Sequence, residues 1–199
     1  MAEKDTLTWR SYCMTLTMLA ANIFGFMLCT MIGEIVYNVG SMNAERILVD
    51  RQYYRLILSM FLHADIEHIV SNMIFLAGLG KMIEQAVGHV RFCILYLISG
   101  LGAGVLSMIY SVLTGNIYNA VGASGAIFGL VGALFILVIS HNGNFGSVSI
   151  GRLLFAVAYM IYSGTNAVRV DNAAHIGGLI SGVLIMAIMN IIKMGGYRV

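Results

Sequence analysis

Residues 121–141 of the chain read VGASGAIFGLVGALFILVISH, a run of 21 positions that contains no Asp, Glu, Lys or Arg. A helix that crosses the hydrocarbon core of a bilayer needs roughly 20 mainly apolar residues, so this run predicts a membrane-spanning helix. Ser124 stands near the start of the run, between Gly122 and Gly125. Because glycines leave room for another backbone to approach, Ser124 is the first candidate functional residue.

The composition of the whole chain also indicates a lipid environment. Of its 199 residues, 59% are hydrophobic and only 10% are charged, against about 25% charged in soluble domains. The net charge of +2, without a basic stripe, argues against a nucleic-acid partner. Cys13, Cys29 and Cys93 lack metal-ligand spacing and are interpreted as free thiols, so neither a metal nor an organic cofactor is predicted.

Five further runs are long and apolar enough to cross a bilayer. They are about 12–37, 67–87, 90–113, 150–168 and 173–193, which makes 121–141 the fourth of six. We therefore predict an all-α membrane protein in which residues 11–194 form one six-helix domain. Residues 1–10 form a short N-terminal tail in this prediction, and residues 195–199 a C-terminal tail.

The longest connection, about 38–66, follows the first span and mixes charged with aromatic residues. That mixture predicts a first loop lying in the membrane interface. Lys and Arg are enriched in cytoplasmic segments. If both termini are cytoplasmic, the inner segments hold seven of these residues and the outer ones four (Lys4, Arg10, Lys81, Arg91, Arg152, Lys193 and Arg198 against Arg46, Arg51, Arg55 and Arg169), so we predict this orientation.

Four polar residues are expected at one depth of the bilayer. His68, Asn72, Ser124 and His175 lie in the first turns of spans two, four and six. These spans run in the same direction, so a rise of about 1.5 Å per residue puts all four in the outer half of the membrane. Polar groups inside spans are costly, which makes each of them a functional candidate.

Ser124 and His175 suit a nucleophile and its general base, although a lone serine or histidine in a span more often has a structural role. The small-residue faces Gly125-x-x-x-Gly129 and Gly178-x-x-x-Gly182 would pack the two helices closely. His68 and Asn72 with the Ser124 backbone N–H would then form an oxyanion hole, or else a structural pair.

Other residues have supporting interpretations. Phe128 lies one turn from Ser124 and would stack on the imidazole, or simply pack in the core. His63 precedes span two and is given only a supporting role. Asp171 lies four residues before His175, so it invites a Ser-His-Asp interpretation, but a helix cap is the preferred one. His89 and His141 fall at the inner ends of spans and are interpreted as interfacial.

The motifs together resemble those of the rhomboid intramembrane proteases. The resemblance is carried by the segment Gly122–Gly129, by Ala174–Gly178 with Gly182, by His63–His68 followed by Asn72, and by Tyr54-Arg55, and it spans about residues 12–193. It implies a Ser124–His175 dyad without a third carboxylate, oxyanion donors from His68, Asn72 and the Ser124 backbone, and stacking by Phe128. It also implies a first loop in the outer leaflet, bracing by Arg55 and Glu84, and lateral entry of substrate helices.

The resemblance therefore predicts a serine endopeptidase that cleaves single-pass transmembrane substrates in or near their helices, in a bacterial plasma (inner) membrane. Because the N-terminal tail is short, we expect neither the extramembrane N-terminal domain nor the seventh helix that some members of the family carry. A catalytically inactive relative that binds membrane proteins is the first alternative, and a small transporter or channel is the second. The oligomeric state is left open.

Overall fold

The computed structural model describes residues 9–165 and 170–195. Its α-helices are α1 (Cys13–Ile32), α2 (Glu34–Gly40), α3 (Ala44–Leu48), α4 (Arg55–Leu58), α5 (Ile66–Val87), α6 (His89–Thr114), α7 (Ser124–Ser140), α8 (Ile150–Thr165) and α9 (Asn172–Gly195). Short 3₁₀ turns cover Trp9–Tyr12 and Ser59–Phe61, and the strands Asn144–Phe145 and Val148–Ser149 form a small antiparallel hairpin. Within these ranges the protein is mostly helical, as the long apolar runs predict.

Four of the described helices are long and apolar enough to cross a membrane, namely Trp9–Ile32, Ile66–Val87, His89–Thr114 and Asn172–Ile192. The helix Ser124–Ser140 is apolar but shorter. The chain is thus an integral membrane protein of the all-α class, and that prediction is confirmed. The count of six spans remains a prediction, since α7 and α8 are 17 and 16 residues long.

The apolar helix α7 lies in the middle of the molecule. Twelve of its 17 residues are buried, and it packs mainly against α9 and α6. At about 1.5 Å per residue α7 is roughly 25 Å long, which is less than the roughly 30 Å of a bilayer core. If α7 crosses the bilayer, as the sequence predicts, one of its ends would lie below the membrane surface, and Ser124 is the first residue of this helix.

Glycines join α7 to α9. A Cβ atom added to Gly178 would collide with the carbonyl oxygen of Gly125, and one added to Gly182 would collide with that of Gly129. The predicted contact between the two small-residue faces is therefore confirmed. Because backbones this close leave no freedom to slide, the contact fixes how the first turns of α7 and α9 face each other.

The first span is shorter than the sequence suggests. We expected one segment over about 12–37, but α1 ends at Ile32 and a second helix, α2, begins at Glu34. Gly33 between them has φ +75°, a backbone conformation that glycine adopts without steric cost. The helix break thus lies at one glycine inside a continuous apolar run.

The segment after α2 folds back on itself around Arg55. This guanidinium is buried and donates to the carbonyl oxygens of Ser41 and Asn38, at 2.9 and 2.6 Å, and to Oε1 of Gln52 at 2.7 Å. These neutral acceptors take three of the five N–H groups of the buried guanidinium. Arg55 therefore ties the start of the first loop to α4, and the position of this loop in a membrane interface remains a prediction.

Candidate active site

The structure brings Ser124 and His175 together. Ser124 is the first residue of α7, and His175 lies in the first turn of α9. The glycine contact between the two helices leaves Oγ of Ser124 3.0 Å from Nε2 of His175. His175 is buried, with 8% of its surface exposed, and Ser124 is half-buried. A neutral imidazole at this distance can accept the hydroxyl proton, which is the geometry that nucleophilic catalysis requires.

A phenyl ring rather than a carboxylate holds the imidazole. Phe128 stacks on His175 with ring centroids 4.1 Å apart and planes 10° apart. Nδ1 of His175 has no hydrogen-bond partner within residues 9–165 and 170–195. The pair is therefore oriented by packing, in contrast to triads in which a carboxylate accepts from Nδ1.

Asp171 has other partners. Its Oδ1 accepts from the backbone N–H of Ala174 at 2.9 Å, which is the bond of a helix N-cap, and its Oδ2 accepts from the hydroxyl of Ser107. The structure thus agrees with the cap interpretation of Asp171. The same carboxylate ties the first turn of α9 to α6.

His68 and Asn72 lie where the chain enters α7. A Cβ atom placed on Gly122 would be 2.7 Å from Nε2 of His68 and 3.8 Å from Nδ2 of Asn72, so only a glycine fits beside them. Gly122 has φ +133°, and its N–H donates to the carbonyl of Ser59 at 2.9 Å. Two side chains with donor groups therefore border the turn that leads into Ser124.

His63 supports this arrangement from the first loop. It is fully buried, with Nε2 3.0 Å from Nδ2 of Asn72. Its ring meets that of His68 edge-on, with centroids 5.1 Å apart. Burial and, to a smaller extent, the nearby His68 lower the pKa of His63 to about 4, while Phe61 and Asp65 oppose the shift. A neutral His63 can accept one N–H of the Asn72 amide and leaves the second N–H free.

A small cavity opens beside the Ser–His pair. Its volume is about 40 Å³, and its lining includes Ser59, Ser107, Ser124 and Asp171. That volume exceeds what one water molecule needs, and the walls supply polar partners for it.

Ser107, which helps to line this cavity, was not predicted from the sequence as a site residue. The hydroxyls of Ser107 and Tyr118 lie 3.2 Å apart, and Ser107 also binds Asp171. Burial, with the Asp171 charge nearby, raises the pKa of Tyr118. One signal was present in the sequence: Ser99, Ser107 and Ser111 are polar residues in an apolar helix, and all three are fully buried.

No set of three or more metal-ligating side chains converges at this site in the part of the chain that the structure describes. The chemistry available here is that of a hydroxyl, a neutral imidazole and hydrogen-bond donors. Such a set can attack a carbonyl carbon and stabilise the resulting oxyanion.

Comparisons with known proteins give the family. The model of the Rhomboid domain matches residues 50–191, which include all the site residues described above. RHOMBOID-like protein 2 of Arabidopsis thaliana is 36% identical over 146 residues, covering 72% of this chain and 44% of that protein. RHOMBOID-like protein 1 of the same plant is 32% identical over 161 residues, covering 80% of this chain and 40% of that protein.

Bacterial relatives are similar at lower identity. Rhomboid protease GluP of Bacillus subtilis is 29% identical over 170 residues, covering 80% of this chain and 32% of that protein. The chain thus spans less than half the length of these three curated relatives. Since the Rhomboid model covers well over half of the chain, the resemblance seen in the motifs is confirmed, and the chain belongs to the rhomboid family.

Proposed function

We propose that this chain is an intramembrane serine endopeptidase that hydrolyses peptide bonds in or near transmembrane helices. The distance of 3.0 Å between Oγ of Ser124 and Nε2 of His175 is the observation that carries the proposal. Two features support it: the adjoining polar cavity, which Ser124 helps to line, and similarity to relatives that include Rhomboid protease GluP and Putative rhomboid protease YdcA, both of Bacillus subtilis.

In the proposed reaction, His175 takes the proton of the Ser124 hydroxyl as Oγ attacks the carbonyl carbon of the scissile bond. The carbonyl oxygen then becomes an oxyanion, which accepts hydrogen bonds from the Ser124 backbone N–H, Asn72 and His68. The intermediate collapses, the C–N bond breaks, and His175 returns the proton to the leaving amine. An acyl ester on Ser124 remains.

Water completes the cycle. His175 removes a proton from a water molecule as that molecule attacks the ester carbonyl, and it then returns the proton to Oγ of Ser124. The cavity lined by Ser59, Ser107 and Asp171 lies beside the ester and could supply this water. The imidazole, whose Nδ1 has no carboxylate partner among the described residues, serves both steps, because stacking on Phe128 limits the rotation of its plane.

We propose a six-helix arrangement in which α1, α5, α6, α7, α8 and α9 cross the bilayer. Both termini face the cytoplasm of a bacterial plasma membrane, and the first loop lies in the outer leaflet. Single-pass membrane proteins would then reach Ser124 from the side. The backbone carbonyls of a helix are engaged in hydrogen bonds, so the substrate must unwind locally before a carbonyl can be attacked. We therefore expect cleavage near small residues in spans that contain helix breakers.

The test is cleavage of a model transmembrane substrate by the protein reconstituted in liposomes. We expect Ser124→Ala and His175→Ala to abolish cleavage, while Ser140→Ala, at the other end of the same helix, retains it. Only the wild type and Ser140→Ala should react with a serine-directed phosphonate. A substrate with an all-Leu span should resist cleavage.

Two results would reject the proposal. Undiminished cleavage by Ser124→Ala would show that Ser124 is not the nucleophile. A wild type that is folded and binds the substrate without cleaving it or reacting with the phosphonate would favour the inactive, membrane-protein-binding relative instead.

A further inference from the structure

A second cluster of reactive side chains lies at the opposite end of the helices from Ser124. It consists of Cys13 at the start of α1, Glu84 near the end of α5, and His89 at the start of α6. One ligand atom of each residue lies within 4.8 Å of the other two. Sγ of Cys13 is 3.6 Å from Nδ1 of His89, and this nitrogen is 2.5 Å from Oε1 of Glu84.

Glu84 is the fixed member of the cluster. Its side chain is buried, and it accepts from the N–H of Met14 at 2.9 Å, the N–H of Thr15 at 2.7 Å and the hydroxyl of Thr15 at 2.6 Å. The carboxylate therefore caps the N-terminus of α1 from another helix. Of its two oxygens, Oε1 uses one acceptor position for Met14 and points the other at His89.

The turn between α5 and α6 places His89 opposite that oxygen. Gly88 connects the two helices with φ +86°, and its N–H donates to the carbonyl of Glu84 at 2.8 Å. The side chain of His89 is 46% exposed and Cys13 is half-buried. Both residues are thus reachable from water, and neither of them is needed to cap α1.

The donor set is specific in its chemistry. A thiolate sulfur, an imidazole nitrogen and a carboxylate oxygen together are ligands typical of Zn²⁺, and a hard ion such as Mg²⁺ would avoid the sulfur. In a tetrahedral zinc site, sulfur and nitrogen ligands are about 3.6 Å apart, which is the distance observed between Cys13 and His89. Nitrogen and oxygen ligands would be about 3.3 Å apart, so the exposed His89 ring must move slightly away from Glu84.

We propose that Cys13, Glu84 and His89 form a three-ligand Zn²⁺ site whose fourth position is open to water. On binding, the Cys13 thiol releases its proton to solvent. The neutral imidazole keeps its proton on Nε2 and binds the metal through Nδ1. The ion takes the place of the hydrogen bond between His89 and Glu84, and it joins the starts of α1 and α6 to the end of α5.

The first experiment is a metal titration of the tag-free, chelator-stripped protein in detergent, with Co²⁺ as the spectroscopic probe and Zn²⁺ as its competitor. We expect one Co²⁺ per chain and a thiolate-to-cobalt charge-transfer band that Zn²⁺ abolishes and Mg²⁺ does not. The band should be lost in Cys13→Ser and retained in Cys93→Ser, a second half-buried thiol outside the cluster. His89→Ser should weaken Zn²⁺ binding at least about tenfold.

Thermal unfolding gives an independent readout. Zn²⁺ should raise the Tm of the wild type and of Cys93→Ser by mass action, and it should leave that of Cys13→Ser unchanged, provided that the metal-free forms unfold at similar temperatures. Metal binding by Cys13→Ser equal to that of the wild type, or Co²⁺ binding without a thiolate band, would overturn the site. His175→Ala should keep the band, so the outcome does not depend on proteolytic activity.

Discussion

The ring of Phe128 lies parallel to the imidazole of His175, with centroids 4.1 Å apart. Stacking of this kind contributes about 0.5–1.5 kcal/mol beyond the buried area. If the stack keeps Nε2 of His175 aimed at Ser124, Phe128→Leu should lower kcat about two- to tenfold and leave KM nearly unchanged. Phe135→Leu, a half-buried phenylalanine two turns along the same helix, is the control. Equal kcat values in both variants would show that the stack does not orient the base.

Asn72 offers a test of the oxyanion contacts. One N–H of its amide points to Nε2 of His63 at 3.0 Å, and in the proposed mechanism the other donates to an oxyanion beside Gly122. Loss of one such donor typically lowers kcat by about 10²–10³-fold, so we expect this loss in Asn72→Ala. The adjacent Ser71→Ala should behave as the wild type, because that hydroxyl only bonds the backbone of its own helix. An Asn72→Ala variant with unchanged kcat would assign the residue a structural role.

Asp171 distinguishes a dyad from a triad. Its carboxylate binds Ala174 and Ser107, and Nδ1 of His175 lacks a partner among the described residues. We therefore expect Asp171→Asn to keep cleavage within a few-fold of the wild type, and Asp171→Ala to lose about 1 kcal/mol of stability through the missing cap. Loss of a true third member lowers kcat by about four orders of magnitude. A loss of that size in Asp171→Asn, in a variant with an unchanged Tm, would place the carboxylate in the mechanism.

Burial of His63 should make the folded state less stable at acidic pH. Burial lowers its pKa from 6.5 to about 4, so the folded state favours the neutral ring. The stabilisation is complete above about pH 6.5 and is lost as the pH falls towards 4, by up to about 2 kcal/mol at pH 5. His63→Gln should therefore show a smaller drop in Tm between about pH 7.5 and pH 5 than the wild type. His141→Gln, at an exposed histidine, should keep the wild-type drop, and identical drops in all three proteins would contradict the prediction.

Much of the site could be predicted because its residues lie on helices, whose rise and periodicity are regular. Helices that run in the same direction place residues of their first turns at one depth, so His68, Asn72, Ser124 and His175 could be grouped without coordinates. The facing glycines of α7 and α9 could be found because small residues four apart form one helix face. The break at Gly33 could not be predicted, since a glycine in an apolar run does not reveal whether its φ is positive.

Contacts between residues that are distant in the sequence could not be predicted either. Cys13 and His89 are 76 positions apart, and each looks like an ordinary residue at the end of a span. Their meeting depends on Glu84 capping α1 from α5, which is a tertiary contact with no local pattern. Ser107 was missed for the same reason, because a buried serine does not indicate which neighbouring helix supplies its acceptor.

The contact between α7 and α9 gives a matched pair of glycine substitutions. A methyl group on Gly178 would collide with the backbone of Gly125, whereas one on Gly78, in the middle of α5, would meet no atom within 4 Å. Alanine is intrinsically favoured over glycine within a helix by about 1 kcal/mol, so Gly78→Ala should leave the Tm unchanged or raise it. Gly178→Ala overpacks a rigid contact, which costs about 1–3 kcal/mol, and it should lower the Tm by roughly 2–12 °C.

The same substitution should also slow cleavage by the protein that remains folded. Separating α7 from α9 lengthens the distance between Ser124 and His175, because each lies in the first turn of one of these helices. We therefore expect Gly178→Ala to lose at least about tenfold in kcat when rates are normalised to folded protein. Gly78→Ala should retain the wild-type rate. Normal cleavage by a Gly178→Ala variant with a lowered Tm would show that the glycine contact stabilises the bundle without setting the geometry of the Ser–His pair.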